Sequence, residues 1–173
     1  MSVSTIRNLA LIFLLALAGL AGCSTAIKSP EGTTTTVILV RHAERTTFTK
    51  VLTEAGKKRA AALVRTLDGI EIDAIYSPDL VRNIDTVKPL AQQRGLTIIL
   101  VDSKPDTQEV AKRLLHDHPG STVLWVGNTT NLPSIYADLG GQGEAPMQYG
   151  DLFILNVPDK GFTKVTKKYF GYE

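Results

Sequence analysis

Val40-Arg41-His42-Ala43-Glu44 puts a guanidinium and an imidazole directly after the apolar run Val37-Ile38-Leu39-Val40. Arginine binds oxyanions through paired N–H donors, and histidine can act as nucleophile or base near neutral pH. Two later stretches carry groups of matching chemistry: Ser77 with Arg82 and Thr86, and Asn128-Thr129-Thr130-Asn131. Each comes after a short apolar run, Ile72 to Tyr76 and Thr122 to Val126. Buried parallel strands read as such runs, and ligands in open α/β sheets collect where the strands end. Gathered on one edge, two guanidiniums and an imidazole suit a phosphate dianion. The arginines also disfavour protonation of His42, and a neutral imidazole can attack phosphorus. A bond from one ring nitrogen to a backbone carbonyl would fix the other as the attacking atom. Taken alone, the Arg-His pair is equally compatible with a surface position after a strand.

The elements between these residues must bring them together. Thr53 is suited to cap a helix whose apolar face carries Leu63, Val64 and Leu67, ended by Asp68-Gly69. Ser77 and Pro78 suit the cap and first turn of a second helix, with Leu80, Ile84, Val87 and Ala91 on one face. Arg94-Gly95 closes it, and Leu96 to Val101 predicts a third strand. Asp106 and Glu109 have capping-box spacing before Val110, Ala111, Leu114 and Leu115. Trp125 sits mid-strand in the fourth apolar run and reads as core, and a short helix is expected over 133–139. Gly140 to Pro146 has the composition of a mobile loop. Residues 151–157 and 162–168 form a hairpin pattern around Pro158-Asp159-Lys160-Gly161. Lys164, Lys167 and Lys168 read as the solvated face of an edge strand, or as a face towards anionic lipid. Strand and helix alternate four times. This predicts an α/β three-layer sandwich: a mainly parallel central sheet, helices on both faces, and an antiparallel edge.

Taken together, the motifs resemble the histidine phosphatase, or phosphoglycerate mutase-like, superfamily from residue 36 to about 171. Val40-Arg41-His42-Ala43-Glu44 matches its nucleophile motif and Leu52-Thr53-Glu54-Ala55-Gly56 its LTxxG segment. Ser77, Arg82 and Thr86 match its serine-arginine-threonine spacing, with Pro78 where a second Ser or Thr is common. Val126-Gly127 opens its VGH motif, and Leu132-Pro133 fits the family's sequence just beyond that motif. The resemblance implies a phosphohistidine intermediate on His42, with Arg41 and Arg82 clamping the phosphoryl group and neither metal nor cofactor required. It places Asn128 where the family has a second catalytic histidine. Asparagine keeps an amide donor but is never cationic, and losing one such contact costs roughly 10²–10³ in rate. Arg45, Ser77 and Thr129 are further candidates for substrate contacts. Glu109 and Asp106, with Asp102, are candidates for a general acid, although the capping box accounts for the first two. Glu44 reads as a structural partner. The implied function is a phosphatase acting on small phosphomonoesters, with activity reduced by Asn128. The alternative is a non-catalytic pseudo-phosphatase of the cell envelope that binds a phosphorylated ligand.

The chain has 173 residues, 43% of them hydrophobic and 21% charged, which is ordinary for one globular domain. A net charge of +2 with dispersed Lys and Arg gives no footprint for nucleic acid. Arg7 and the apolar stretch Leu9 to Leu20 have the layout of a secretory signal over residues 1–22. Leu20-Ala21-Gly22-Cys23 resembles a bacterial lipobox, which implies a lipid anchor on Cys23. Ser24 fits sorting to the outer membrane, on its periplasmic face. Cys23 is the single cysteine, so no internal disulfide can form. Residues 23–35 read as the lipidated terminus and a flexible tether, and residues 36–173 as the domain.

Overall fold

The computed structural model describes residues 26–171. The expected signal segment 1–22 and Cys23 lie outside the described residues. Strands β1 (Thr34–Arg41), β2 (Ala74–Pro78), β3 (Ile98–Val101), β4 (Thr122–Gly127), β5 (Asp151–Pro158) and β6 (Lys164–Tyr169) form one sheet. Their order is β3-β2-β4-β1-β5-β6. The first four strands of that order are mutually parallel; β5 runs antiparallel to β1, and β6 antiparallel to β5. The expected layer architecture and the hairpin at the edge are both present.

Each face of the sheet is covered because β1 and β4 are apolar at every central position. Val37 and Leu39 point into one core with Val123 and Trp125; Ile38 and Val40 point into the other with Leu124 and Val126. Helices α1 (Glu54–Thr66) and α2 (Val81–Arg94) cover the second face through Leu63, Val87 and Leu90. Helices α3 (Thr107–His116) and α4 (Leu132–Asp138) cover the first through Val110, Leu114 and Ile135.

Three expectations change. Ser77 and Pro78 do not start a helix: they pair with Leu100 and Val101 of β3, so β2 runs to Pro78 and α2 begins at Val81. Leu80 is its N-cap and makes no side-chain cap bond, whereas α1 and α3 are capped by Thr53 and Asp106 as their sequences predict. The described part of the expected tether is docked. The Ile27 N–H donates to the Asp138 carbonyl and the Ser29 hydroxyl to that of Val157, with Ser29 buried. Finally, the glycine-rich stretch after α4 is tied down. Gly141 N donates to the Tyr136 carbonyl and Tyr136 Oη to that of Gln142, and Ala145 and Met147 pack on the core. A small, polar composition signals looseness in both segments, but bonds to the distant Asp138 and Val157 hold the first, and bonds to the adjoining α4 with apolar packing hold the second.

Candidate active site

The sheet order decides the site. β4 lies between β1 and β2, so Arg41 of β1 is in register with Gly127 of β4, and the end of β2 is next to it. Junctions far apart in sequence therefore share one edge. The His42 N–H donates to the Gly127 carbonyl at 3.0 Å, and Asn83 Nδ2 donates to that carbonyl at 3.2 Å and to that of Val126 at 3.0 Å. Thr86 Oγ accepts from the Ala43 N–H at 2.9 Å and donates to the Arg82 carbonyl at 2.7 Å. Thr86 and the buried Asn83 thus fasten α2, which carries Arg82, to the ends of β1 and β4.

His42 is only 3% exposed. Its Nδ1 lies 2.8 Å from the Ala43 carbonyl oxygen, which can only accept. Nδ1 therefore carries the proton, and Nε2 keeps its lone pair. Burial is the main force pushing the His42 pKa down to about 4; the Ala43 bond opposes it, and the charges of Arg82, Arg41 and Arg45 lower it further. The sequence points to the arginines, but desolvation is the larger cause. The Nε atoms of Arg41, Arg45 and Arg82 are buried without hydrogen-bond partners. Buried N–H groups normally find an acceptor, so these are donors suited to an anion.

Arg82 Nη2 donates to Asn128 Oδ1 at 3.2 Å. A guanidinium only donates, which assigns the oxygen of the Asn128 amide to this contact and turns its Nδ2 away as a donor. Asn131 Oδ1 accepts from the Asn128 N–H at 2.8 Å and holds the turn. Gly127 permits this close packing: a Cβ there would lie 2.6–2.7 Å from Trp125, Asn131 and Leu132.

Glu44 belongs to the framework. Arg59 of α1 donates to both of its carboxylate oxygens, at 2.6 to 3.0 Å, and to Tyr169 Oη and the Phe170 carbonyl. Burial is the largest single influence and works to raise the Glu44 pKa, but the Arg59 bonds, a backbone N–H bond and the charges of Arg59 and Arg41 together outweigh it and hold the carboxyl below its ordinary range. The LTxxG segment packs on the same loop. The Thr53 N–H donates to the Glu44 carbonyl, Thr53 Oγ accepts from the Gly56 N–H, and a Cβ on Gly56 would sit 2.1 Å from the Glu44 carbonyl oxygen. Arg59→Met leaves a mostly buried carboxylate unpaired and is expected to lower stability by about 3 kcal/mol, read from urea unfolding. The carboxyl's pKa is depressed in the fold, so the pair's contribution is full above the unfolded pKa and fades as pH falls through the folded one. The variant should accordingly lose most relative to the natural chain at neutral pH, and the difference should shrink in acid.

Of the other expected site residues, Arg45 is brought close enough for its charge to act on both His42 and Arg82. Thr129 is exposed on the turn. Ser77 is fully buried and donates to the Pro78 carbonyl. Asp106 caps α3, and with Asp102 and Glu109 lines a separate depression on the β3 side. Among the described residues, no three His, Cys, Asp or Glu side chains gather as metal ligands. One neighbour is absent from any sequence motif. Tyr149 stacks under the Arg41 guanidinium, 3.9 Å from ring centre to Cζ, and meets the His42 ring edge-on at 5.8 Å. Arg41 Nη1 also donates to the Met147 carbonyl, which ties this segment to β1.

Residues 37–104 match the model of the histidine phosphatase superfamily (branch 1). YhfR of Bacillus stearothermophilus is similar in structure, with 21% identity, 76% of this chain and 95% of that one covered, and a TM-score of 0.61. The chain has the histidine phosphatase fold. The protein histidine phosphatase SixA, solved with tungstate, covers 78% of this chain and 96% of its own at 15% identity and a TM-score of 0.61. A mycobacterial glucosyl-3-phosphoglycerate phosphatase solved with inorganic phosphate covers 79% and 97% at 15% identity and a TM-score of 0.53. No curated protein sequence matches the chain. At these identities the likeness carries the fold, and the chemistry rests on the residues above.

Within that fold the depressed His42 pKa has a kinetic consequence. The acid limb of kcat/KM, which reports the free protein, is expected near pH 4 once the substrate's own ionisation is removed. A limb near pH 6.5 would mean that His42 titrates as an ordinary, solvated histidine.

Proposed function

We propose that the chain is a phosphohydrolase acting on small phosphomonoesters. The observation that carries this reading is a neutral, singly oriented imidazole set among three guanidiniums with unbonded N–H groups. His42 Nε2 attacks phosphorus, the bond from phosphorus to the leaving oxygen breaks, and a phosphohistidine forms. Arg41, Arg82, Arg45 and Asn128 Nδ2 hold the phosphoryl oxygens. Water then attacks phosphorus, releasing phosphate and restoring the imidazole.

The leaving group sets the substrate class. Asp106 and Glu109 lie off the site and Glu44 is held by Arg59, so no identified carboxyl supplies a proton. Phosphomonoesters whose leaving oxygen is weakly basic suit this arrangement: phosphates of phenols and of other acidic alcohols. Purified residues 24–173 are expected to hydrolyse a chromogenic aryl phosphate and to be much slower on an alkyl phosphate. Phosphate binding without turnover above a His42→Ala control would favour the pseudo-phosphatase reading, which Asn128 motivates. Asn128→His restores a donor that can be cationic and is expected to raise turnover roughly 10- to 100-fold. An unchanged rate would mean that position 128 does not touch the phosphoryl group.

For the address, residues 1–22 act as a signal and Cys23 carries the lipid, so the domain works in the bacterial cell envelope, at the periplasmic face of the outer membrane. The apolar stretch ending in small residues before Cys23 supports this. Loss of membrane partitioning in Cys23→Ser is the expected result.

A further inference from the structure

The docked N-terminal segment shows which side of the domain a lipid on Cys23 would hold to a membrane. Ala26 lies beside Thr163: a Cβ built on Gly140 would touch both residues, at 3.2 Å from Ala26 Cβ and 2.8 Å from Thr163 Oγ. From there the chain runs along one rim of the sheet. Lys28 Nζ donates to the Gly161 carbonyl at 2.6 Å, and the Gly32 N–H to the Asp159 carboxylate at 2.9 Å. Thr34 then pairs with Pro158. This is the rim at the start of β1. Arg41 and His42 lie at the other end of that strand, roughly 23 Å away at ~3.3 Å per residue.

Only Ser24 and Thr25 separate Cys23 from Ala26. Three residue steps reach about 11 Å when fully extended. Next to Thr163 is Phe162, 85% exposed at the turn between β5 and β6. A single exposed phenylalanine ordinarily needs no explanation. Here it stands within reach of the acylated residue, flanked by Lys28, Lys160 and Lys164. Glu31 and Asp159 share the rim, but the Asp159 carboxylate is taken up by the Gly32 N–H and by the charge of Lys160.

We propose that this rim, residues 28–33 and 158–164, lies directly against the lipid surface, with Phe162 in the headgroup region and the catalytic edge turned away from the bilayer. The inference rests on the reading of Cys23 as acylated. It also narrows the substrate: the site would draw on phosphorylated compounds dissolved on the aqueous side, and phosphates of the anchoring bilayer would be out of its reach.

The test uses the full acylated chain in phosphatidylethanolamine–phosphatidylglycerol vesicles. Phe162→Cys carries an environment-sensitive fluorophore; the Cys23 thiol is already taken by the lipid. Phe48→Cys, 93% exposed on the loop after Arg45, is the companion at the opposite edge. The expected result is blue-shifted emission at 162, several-fold stronger quenching there by nitroxide lipids, and protection from aqueous iodide. The probe at 48 should emit as in water and be quenched by iodide. A chain that floats with the vesicles while the probe at 162 stays aqueous, or while the probe at 48 enters lipid, overturns the orientation and leaves acylation intact. A chain that floats no better than its Cys23→Ser variant overturns the acylation reading, and the orientation with it.

Discussion

His42→Ala is expected to lower turnover of an aryl phosphate by on the order of 10⁴-fold or more, because on the proposed mechanism it removes the group that bonds to phosphorus. Binding should respond differently. The guanidiniums of Arg41, Arg45 and Arg82 remain, so inorganic phosphate should still bind in calorimetry. The backbone should hold as well, since the His42 N–H on the Gly127 carbonyl and the Ala43 N–H on Thr86 do not involve the ring. Acid-quenched protein should carry labelled phosphate in the natural chain and none in the variant. Equal labelling in the two would place the covalent chemistry elsewhere, and loss of phosphate binding along with turnover would make His42 a structural residue.

Arg82→Gln is expected to lower kcat/KM by roughly 10²–10³, the scale of losing one preorganised donor to the transferring group. Arg82 also holds Asn128 by its Oδ1, so the change releases that amide as well. Combining Arg82→Gln with Asn128→Ala should therefore cost less than the sum of the two single losses in activation free energy. Additive losses would show that the two side chains act independently. The pH profile separates charge from burial. Burial is the largest cause of the low His42 pKa, so the acid limb should stay well below 6.5 in Arg82→Gln. A limb that returns to 6.5 would mean that the arginine field, not desolvation, keeps the imidazole neutral.

Some of this arrangement is local and legible in the sequence. The run Val37 to Val40 must be a strand buried on both faces, because no amphipathic period breaks it. Thr53 and Asp106 cap helices because their side chains bond to N–H groups two or three residues on. Ser77-Pro78 misleads for the same kind of reason. As a dipeptide it suits a helix start, but pairing with Leu100 and Val101 outweighs that preference. Tyr149, Asn83 and Arg59 carry no sequence signal because their partners are distant: Arg41 lies 108 positions before Tyr149, and the Asn83 bonds cross to β4. Asp106 and Glu109, by contrast, suit an acid only by their place after the third strand, and their side chains serve the start of α3 or face solvent.

The sequence by itself determined the groups and the local geometry: an arginine and an imidazole closing a buried strand, a second arginine in the helix after β2, and an asparagine after the fourth strand. These arise from side-chain chemistry and short-range periodicity. Only the tertiary structure decided that β4 inserts between β1 and β2, which brings Arg41, His42, Arg82 and Asn128 to one point. It also decided that His42 is buried with Nδ1 on a carbonyl, and that the residues before β1 are fastened to the far rim. Desolvation and strand order depend on what packs around a residue from elsewhere in the chain, and no local window of sequence contains that information.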